Sequence, residues 1–584
     1  MNRLMRGLRS LKGVFRFKKK YALPLVCAAS CAAFCAVTLF WNFQKMGLSH
    51  WDEYYYIETA VWNMRPSYSH IGFFQAYEPP LFPLLLTIMF SVFGIQDYVA
   101  IATSEIMAML LCALTFWWTR RECDLQTAIV SVLILASTSI FVYYAKMALT
   151  DMTYTFFFSA AIFAYYDAIK TKSNSTFLIA GVLLACTIGT KYTGFQPLLI
   201  ILIFLPVSAL PIFRGKVSFK KSLAYLRELW NDLLKLWLSF APVSVLAVAL
   251  LLYFANPFPL LAGSFTLTGG LIQNISQGLY YLAFSVYPLK SGEFSTQLFL
   301  NIDFYGDVVA EFIGAFVIVL AIVGAARGLL RRQVITVLFS IWSVFVFIFF
   351  ASLQGTWPRV ILPMVVPLSI LAGKGILSCA NALVRFLRAL GLRKLRKARF
   401  SMLLRVSFVI LLVVLHLYSS LPAITNAHSA YREAAEFIAN NLPNRIVFYI
   451  TQPVLLVYLD SFGSKSFMVD ATAFLNESYA VVLDFIADAS PDYAQIQARV
   501  SQMTLALRIS NDVPALNMLD STPFSALRQF DPDRMSIRIY LQSPASLNNS
   551  PTQAYFPTQS PAKAALFEMC IVFPYNRGLR AARG

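Results

Sequence analysis

Acidic and aromatic residues are concentrated in one stretch, Ser49-His-Trp-Asp-Glu-Tyr-Tyr-Tyr-Ile-Glu58, directly after the first apolar segment. A carboxylate such as Asp52 can act as a general base, and neighbouring aromatic rings can hold a substrate. Trp and Tyr are also enriched at membrane surfaces in general, so the stretch equally suits an ordinary solvated loop. The choice between an active site and a loop depends on where the chain places its other charged residues.

The composition is that of a polytopic membrane protein. Of the 584 residues, 58% are apolar and only 13% are charged, and the mean hydropathy is +0.63. These values are far from those of soluble globular proteins. The net charge of +19 comes from short Lys and Arg clusters between apolar segments, where such clusters set membrane orientation. We therefore predict no nucleic-acid partner.

The basic N-terminus and one short apolar segment decide the predicted topology. Residues 1–20 contain eight Lys or Arg, which places this tail in the cytoplasm by the positive-inside rule. Segment 80–94, with prolines around its start, is shorter than the roughly 20 residues that a crossing needs. If it does not cross, 30 of the 48 Lys and Arg fall in cytoplasmic segments. The sequence therefore predicts a re-entrant or interfacial helix here.

The remaining apolar segments predict an all-α membrane domain, 21–422, followed by an external α/β domain, 423–584, with a more polar composition. Eleven crossings place the C-terminus outside, with external loops that include 44–98 and 257–307. The predicted spans are 21–43, 99–118, 125–143, 152–168, 176–190, 194–213, 237–256, 308–326, 334–352, 360–379 and 402–422.

With this topology, charged residues from four parts of the chain gather on the outer face. Asp52 and Glu53 follow the first span, Asp151 precedes the fourth, and Lys191 and Arg359 lie in later outer loops. Each has an ordinary explanation, since basic side chains extend to interfaces and acids cap helix starts. Together, cations and carboxylates on one membrane face suit a lipid phosphate beside an acid/base centre.

Other charges at membrane boundaries have structural interpretations. We expect Lys146 to extend to the membrane interface. Asp303, Asp307 and Glu311 recur every four residues, and we expect them at a helix start, where the helix dipole favours acids. Glu105 lies about two turns into a predicted span and is either functional or paired with a polar neighbour.

The order and common sidedness of these motifs resemble those of GT-C glycosyltransferases, most closely the protein O-mannosyltransferase and lipid A aminoarabinose transferase group and its bacterial relatives. The resemblance covers about residues 21–380 and, more loosely, the Tyr431-Arg-Glu-Ala-Ala-Glu-Phe start of the outer domain. The motifs that carry it are Asp52-Glu53, Pro79-Pro80-Leu81, Asp151-Met152, Lys191-Tyr-Thr-Gly194 and Arg359-Val-Ile-Leu-Pro363.

The resemblance implies a GT-C fold in a bacterial plasma membrane. It implies inverting transfer of a hexose or pentose from a polyprenyl-phosphate carrier to a lipid, glycan or protein acceptor at the external face. By resemblance Asp52 is the catalytic base, and Asp151 orients the acceptor or donor. Lys191 and Arg359 are expected to bind the donor phosphate. The other expected substrate-binding residues are Glu53, Tyr55 and Glu78.

The chain departs from the family pattern at two positions. Aminoarabinose transferases have Glu-Lys-Pro-Pro-Leu, with a lysine implicated in phosphate binding, whereas here Glu78 stands directly before Pro79-Pro80. Ile101 occupies a position at which relatives commonly have arginine. Phosphate binding has to come from other residues, and an aminoarabinose donor is not favoured.

Two other functions and a metal site stay open. A secondary transporter or lipid flippase is expected to show inverted repeats and ionisable residues near the midplane, and the sequence shows no such repeat. A polysaccharide ligase or polymerase would favour an external loop richer in Arg and His than 257–307. No cofactor is certain from the sequence. A divalent ion held by His50 and His70 is an alternative, although their spacing is no recognised ligand pattern.

Overall fold

The fold is seen in a computed structural model that describes most of the membrane domain and parts of the C-terminal region. The described residues are 19–64, 79–208, 219–246, 294–353, 357–390, 398–425, 428–441, 447–450, 454–461, 467–468, 480–483, 493–510 and 536–542.

The described part of the chain up to residue 425 is helical. Short 3-10 helices at Tyr192–Phe195, Trp237–Ser239 and Pro358–Met364 and a π-helix at Val309–Gly314 interrupt or join the α-helices. The α-helices are α1 Lys19–Phe40, α2 Phe43–Met46, α3 Trp51–Met64, α4 Leu81–Phe93, α5 Asp97–Glu122, α6 Leu125–Ala136, α7 Ser139–Ala145, α8 Thr150–Thr171, α9 Asn174–Ile188, α10 Gln196–Ser208, α11 Phe219–Leu236, α12 Phe294–Val308, α13 Ala315–Leu330, α14 Val334–Ala351, α15 Val365–Ala389 and α16 Ala398–Thr425.

Within the described residues, six helical segments are long and apolar enough to cross a membrane. They match six of the predicted spans and are Pro24–Met46, Asp97–Glu122, Leu298–Leu330, Val334–Ala351, Pro358–Ala389 and Arg399–Pro422. A seventh predicted span, 125–143, corresponds to α6 and α7, which meet at a bend of 65°. The predicted total of eleven crossings stays a prediction, since 152–168, 176–190 and 194–213 fall on α8 to α10, outside the six. Segment 237–256 is described only to residue 246.

Helix α4 has the length that the sequence predicts for a re-entrant or interfacial helix. It contains 13 residues between Pro80 and Gly94, all apolar except Thr87 and Ser91, too few for a crossing of about 20 residues. The backbone N–H of Leu81 donates to the carbonyl oxygen of Gly189 at 2.9 Å. The start of α4 is thereby fixed against the end of α9.

Aromatic side chains and glycines pack the bundle. Trp118 of α5 stacks on Phe163 of α8, with ring centroids 4.1 Å apart. Helices α13 and α15 cross closely, because a Cβ on Gly324 would lie 1.9 Å from the Leu371 carbonyl oxygen. Close backbone approach through small residues is typical of membrane helices.

Two structural expectations are wrong. Asp303, Asp307 and Glu311 lie inside a helical run that begins at Phe294, not at a helix start. The prediction placed the helix start near Asp303, whereas α12 already begins at Phe294 and includes the polar residues that precede Asp303. Lys146 is almost fully buried instead of extending to the interface, since its ammonium finds backbone acceptors within the protein.

The described C-terminal residues combine helices with a mixed sheet. The elements are α17 Tyr431–Asn441, β1 Val447–Ile450, α18 Val454–Ser461, β2 Phe467–Met468, β3 Ala480–Leu483, α19 Tyr493–Val500, β4 Met503–Ser510 and β5 Ser536–Gln542. The strand order is β2-β1-β3-β5-β4. Strand β1 pairs in parallel with β2 and β3, and β5 pairs antiparallel with β3 and β4. The strand expected around residues 445–451 is β1.

Candidate active site

The first turn of α3 brings Asp52 to a cation from the late part of the chain. Arg359, in the 3-10 helix before α15, places Nη1 2.7 Å from Oδ2 of Asp52, and both side chains are largely buried. Burial alone would raise the pKa of Asp52, but the charge of Arg359, together with that of Lys191, holds this pKa below its usual range. The carboxylate is therefore ionised at neutral pH.

Asp151 and Lys191 form a second ion pair beside the first. Lys191 Nζ lies 2.7 Å from Asp151 Oδ1 at the start of α8, and 5.8 Å from the ring centre of Tyr154. Because Lys191 also lowers the pKa of Asp52, the two ion pairs share one electrostatic environment. The hydrogen bond from Leu81 to Gly189 holds α4 beside the Lys191 loop.

Glu53 holds two segments of the candidate site together through backbone hydrogen bonds. Its fully buried carboxylate accepts backbone N–H groups from Ser49 at 2.6 Å, His50 at 2.7 Å and Ala148 at 2.7 Å. Burial raises the pKa of Glu53, although these three donors oppose the rise. Its oxygens already bind the backbone on both sides, which suits a positioning role, and the expected contact of Glu53 with substrate stays a prediction.

His50 has a structural contact at the start of α3. Its Nδ1 accepts the backbone N–H of Asp52 at 3.1 Å, which occupies the lone pair that a metal ion would need at this nitrogen. The described residues contain no group of three or more His, Cys, Asp or Glu with a geometry suited to a metal ion. His70 and Glu78 lie outside the described residues, so their expected roles stay predictions.

Tyr55 belongs to an aromatic group along α3. Its ring centre lies 5.5 Å from that of Tyr54 and 6.1 Å from that of Trp51. Tyr55 is mostly buried. This packing does not test its predicted contact with substrate, which stays a prediction.

The residues that attach the C-terminal region to the candidate site were not predicted from the sequence. Tyr458 of α18 accepts the backbone N–H of Leu48 at 2.7 Å and donates to Asp97 Oδ2 at 3.0 Å. Ser429 donates its N–H to the Met46 carbonyl at 2.7 Å and its hydroxyl to the Leu48 carbonyl. These contacts, here called the segment clamp, hold residues 46–48 just before α3. No motif or spacing in the sequence links these residues, because they lie about 400 positions apart along the chain.

Lys146 joins the first and last described membrane helices near the same face. Its Nζ donates to the carbonyl oxygens of Trp41 at 2.8 Å and Ile424 at 2.7 Å. Burial lowers the pKa of Lys146 to about 8, and the nearby carboxyl of Glu105 opposes this change. Lys146 is therefore a cation whose charge acts on Glu105, although the carboxyl oxygens of Glu105 accept no hydrogen bond in the described part of the chain.

The arrangement of helices is shared with solved membrane enzymes. The archaeal oligosaccharyltransferase AglB from Archaeoglobus fulgidus, in complex with an inhibitory peptide and a dolichol-phosphate, aligns with a TM-score of 0.52 and 14% identity over 84% of this chain and 73% of its own. An apo structure of the Archaeoglobus fulgidus oligosaccharyltransferase gives a TM-score of 0.53 and 15% identity over 85% and 74% of the two chains. The chain has the GT-C fold. The fold implied by the motif resemblance is therefore confirmed.

Two further comparisons accompany this GT-C assignment. ArnT from Cupriavidus metallidurans bound to undecaprenyl phosphate is similar with a TM-score of 0.49 and 14% identity, over 85% of this chain and 99% of its own. Residues 77–231, about a quarter of the chain, match the family described as dolichyl-phosphate-mannose-protein mannosyltransferase. The matched region includes Asp151 and Lys191 but neither Asp52 nor Arg359. No curated protein sequence matches the chain.

Proposed function

We propose that this protein is a glycosyltransferase that moves a sugar from a polyprenyl-phosphate donor to an acceptor at the external face of the membrane. The observation that carries the proposal is the pairing of Asp52 with Arg359 beside Asp151 with Lys191. Four separate parts of a GT-C fold supply these charges. Two carboxylates and two cations at one end of the bundle match the needs of an acceptor hydroxyl and a phosphate leaving group.

Asp52 acts as the base in this proposal. The acceptor oxygen forms a bond to the anomeric carbon from the face opposite the phosphate, and its proton passes to the Asp52 carboxylate. The bond between the anomeric carbon and the phosphate oxygen breaks, its electron pair stays on that oxygen, and polyprenyl phosphate leaves. The configuration at the anomeric carbon inverts. A nearby carboxylate also stabilises the positive charge that the sugar develops.

The ion pair with Arg359 makes Asp52 a weak base before the donor binds, since a neighbouring cation favours the ionised carboxylate. A donor phosphate offers Arg359 a second anionic partner, with which it can form two parallel hydrogen bonds. As Arg359 turns to the phosphate, the proton affinity of Asp52 rises. Donor binding thereby strengthens the base at the moment when the acceptor is to be deprotonated.

Lys191 and Asp151 complete the proposed site. Lys191 is the second cation for the phosphate, and its side chain, partly exposed, is held between Asp151 and the ring of Tyr154. Asp151 keeps this ammonium in place and orients the acceptor or donor. Tyr55 and Glu78 are proposed to contact the sugar or acceptor.

The donor class is supported by the family match and the fold. The matched family is described by a dolichyl-phosphate-linked mannose, and the AglB structure contains a dolichol-phosphate and a peptide. For this chain we propose a polyprenyl-phosphate-linked hexose or pentose as donor and a lipid, glycan or protein as acceptor.

The test compares wild type and Asp52→Asn after reconstitution with a panel of radiolabelled polyprenyl-phosphate sugars and a membrane extract as acceptor. Asn keeps the shape of Asp and removes the base, so transfer should fall by roughly 100-fold or more. Asp167→Asn is the matched control, because Asp167 lies at the far end of α8, where it forms an ion pair with Arg121. This variant should retain activity. Full activity of Asp52→Asn at normal expression would refute the base assignment. Wild-type protein that moves lipid or solute in vesicles without any transfer would favour the transporter alternative.

A further inference from the structure

An amphipathic surface lies at the end of the bundle opposite the candidate site. Helix α8 runs from Asp151 at the site to Thr171, and Lys172 follows at the far end. There α11 is attached through its acidic residues: Lys172 Nζ lies 3.2 Å from Glu228 and also pairs with Asp232. Lys235 Nζ donates to the Lys172 carbonyl at 2.8 Å. The inner side of α11 is thus its charged side.

The outer side of α11 is divided lengthwise into an apolar half and a polar half. Trp230 is 62% exposed and Leu234 is 49% exposed, and Trp237, directly after the helix, is 69% exposed. At 100° per residue these three lie within one narrow arc. Arg227 and Asn231 are also exposed; Arg227 lies about 20° beyond Leu234 and Asn231 about 60° beyond it, and these two are here called the polar half. Large exposed aromatic residues beside an arginine and an asparagine are not expected on a surface that faces only water.

The apolar half continues onto an exposed apolar face of a bundle helix. The turn after α11 packs tightly on α9, because a Cβ at Gly181 would lie 2.5 Å from the Ser239 carbonyl oxygen. On α9, beside Gly181, Leu178, Ile179 and Val182 are all exposed. In a membrane protein, such an apolar helix surface faces lipid.

We propose that α11 is an interfacial helix that lies in the plane of the membrane, with Trp230, Leu234 and Trp237 in the lipid and Arg227 at the phospholipid phosphates. Helices with Trp and Leu on one half and basic residues on the other bind bilayers in this way. Trp rings are stable at the headgroup level because they combine an apolar body with a polar N–H. The ion pairs between Lys172 and α11 hold the bundle at a fixed height relative to this helix, and therefore relative to the membrane surface. The partner is therefore the phospholipid bilayer itself, and the proposal does not depend on the enzymatic activity.

The experiment places an environment-sensitive fluorescent amino acid at one position of the full-length protein in phospholipid vesicles. Leu234 tests the apolar half, and Asn231, three positions earlier, is the matched control on the polar half. We expect the reporter at 234 to emit at shorter wavelength and to lose emission when the vesicles contain brominated phospholipid. The reporter at 231 should instead lose emission on addition of aqueous iodide.

A reporter at Val182 of α9 provides the lipid-facing reference, and a single symmetric peak in gel filtration identifies folded variants. Equal quenching by iodide at 234 and 231 would overturn the proposal, because the apolar half would then face water. Protection of 234 from both iodide and brominated lipid would also overturn it, because a protein segment would then cover the surface.

Discussion

At the scale of single residues, the two neighbouring acids at the start of α3 make different contacts. Glu53 is fully buried and accepts three backbone N–H groups, whereas Asp52 pairs with the side chain of Arg359. Successive helix residues point about 100° apart, so one carboxylate faces the loop before α8 and the other faces the cations. Asp52 and Glu53 carry the same charge, and this rotation gives them different partners, in line with a positioning role for Glu53 and the proposed chemical role of Asp52.

The ion pair of Asp52 predicts an unusual pH dependence. Because the folded-state pKa of Asp52 is lowered, the carboxylate stays ionised below the ordinary Asp value of about 3.9. The acidic limb of kcat/KM, which reports the free enzyme, should therefore lie below that value in the wild type. In Arg359→Gln the limb should move to higher pH, since burial without the cation raises the pKa of a carboxyl.

Arg359→Gln should also lower kcat/KM by roughly 100-fold, the usual effect of losing one donor to a charged leaving group. The pH profile of transfer measures both effects. If the acidic limb of the pH profile were unchanged in Arg359→Gln, Asp52 would not be the titrating base. The stability that this pair contributes should be present above pH about 4 and lost as the pH falls further.

At the scale of elements, the segment clamp connects the C-terminal region to the start of α3. Gly47 adopts a φ of 69° between the clamped residues, a conformation that favours glycine. In the clamp, the backbone of residues 46–48 is hydrogen-bonded to Tyr458 of α18 and to Ser429. The orientation of α3, and with it of Asp52, depends on contacts made by the C-terminal region.

Tyr458→Phe tests this dependence. The change removes the acceptor of the buried Leu48 N–H and one donor to Asp97, which keeps its contacts with the Tyr98 N–H and with Arg432. Leaving the Leu48 N–H unpaired costs about 1–3 kcal/mol. We expect faster hydrogen exchange in peptides that cover residues 46–50, together with a lower melting temperature. Tyr418→Phe, at a highly exposed position, should change neither. Unaltered exchange at 46–50 in Tyr458→Phe would show that the clamp does not hold this segment.

The crossing of α13 and α15 makes a second prediction at this scale. Alanine at Gly324 would bring its Cβ to 1.9 Å from the Leu371 carbonyl oxygen, so the helices must separate. We expect Gly324→Ala to destabilise the protein by about 2 kcal/mol, within the range for overpacking, measured as a lower unfolding temperature in detergent. Gly306→Ala is the control, because no atom lies within 4 Å of its added Cβ. Equal stability of the two variants would contradict the tight crossing.

At the scale of the whole molecule, the charge distribution predicts the orientation in the membrane. Candidate-site residues lie at one end of α8, while Arg121, Lys170 and Lys172 lie at the other end with their acidic partners. The positive-inside rule predicts that the second end is cytoplasmic. The candidate site and the C-terminal region would then be external, as the proposed function requires.

Reporter fusions test this orientation. Alkaline phosphatase, which is active only outside the cytoplasm, should be active when fused after residue 425 and inactive when fused after residue 172. A green fluorescent protein at the same positions should show the opposite pattern. Activity of the phosphatase at residue 172 would invert the topology and place the candidate site on the cytoplasmic side.

The sequence by itself determined the membrane class, the GT-C fold and the main helices. These follow from local hydropathy and from motifs whose order along the chain is visible without contacts. It also named Asp52, Asp151, Lys191 and Arg359, because charges at membrane boundaries are rare and therefore conspicuous.

Only the tertiary structure decided how these charges are paired and which acid is enclosed. It paired Asp52 with Arg359, enclosed Glu53 among backbone N–H groups and buried Lys146 between two helix ends. It also brought Tyr458 to Leu48. The physical reason is that hydropathy and charge depend on each residue and its neighbours, whereas pairing depends on helix rotation and on packing between distant segments.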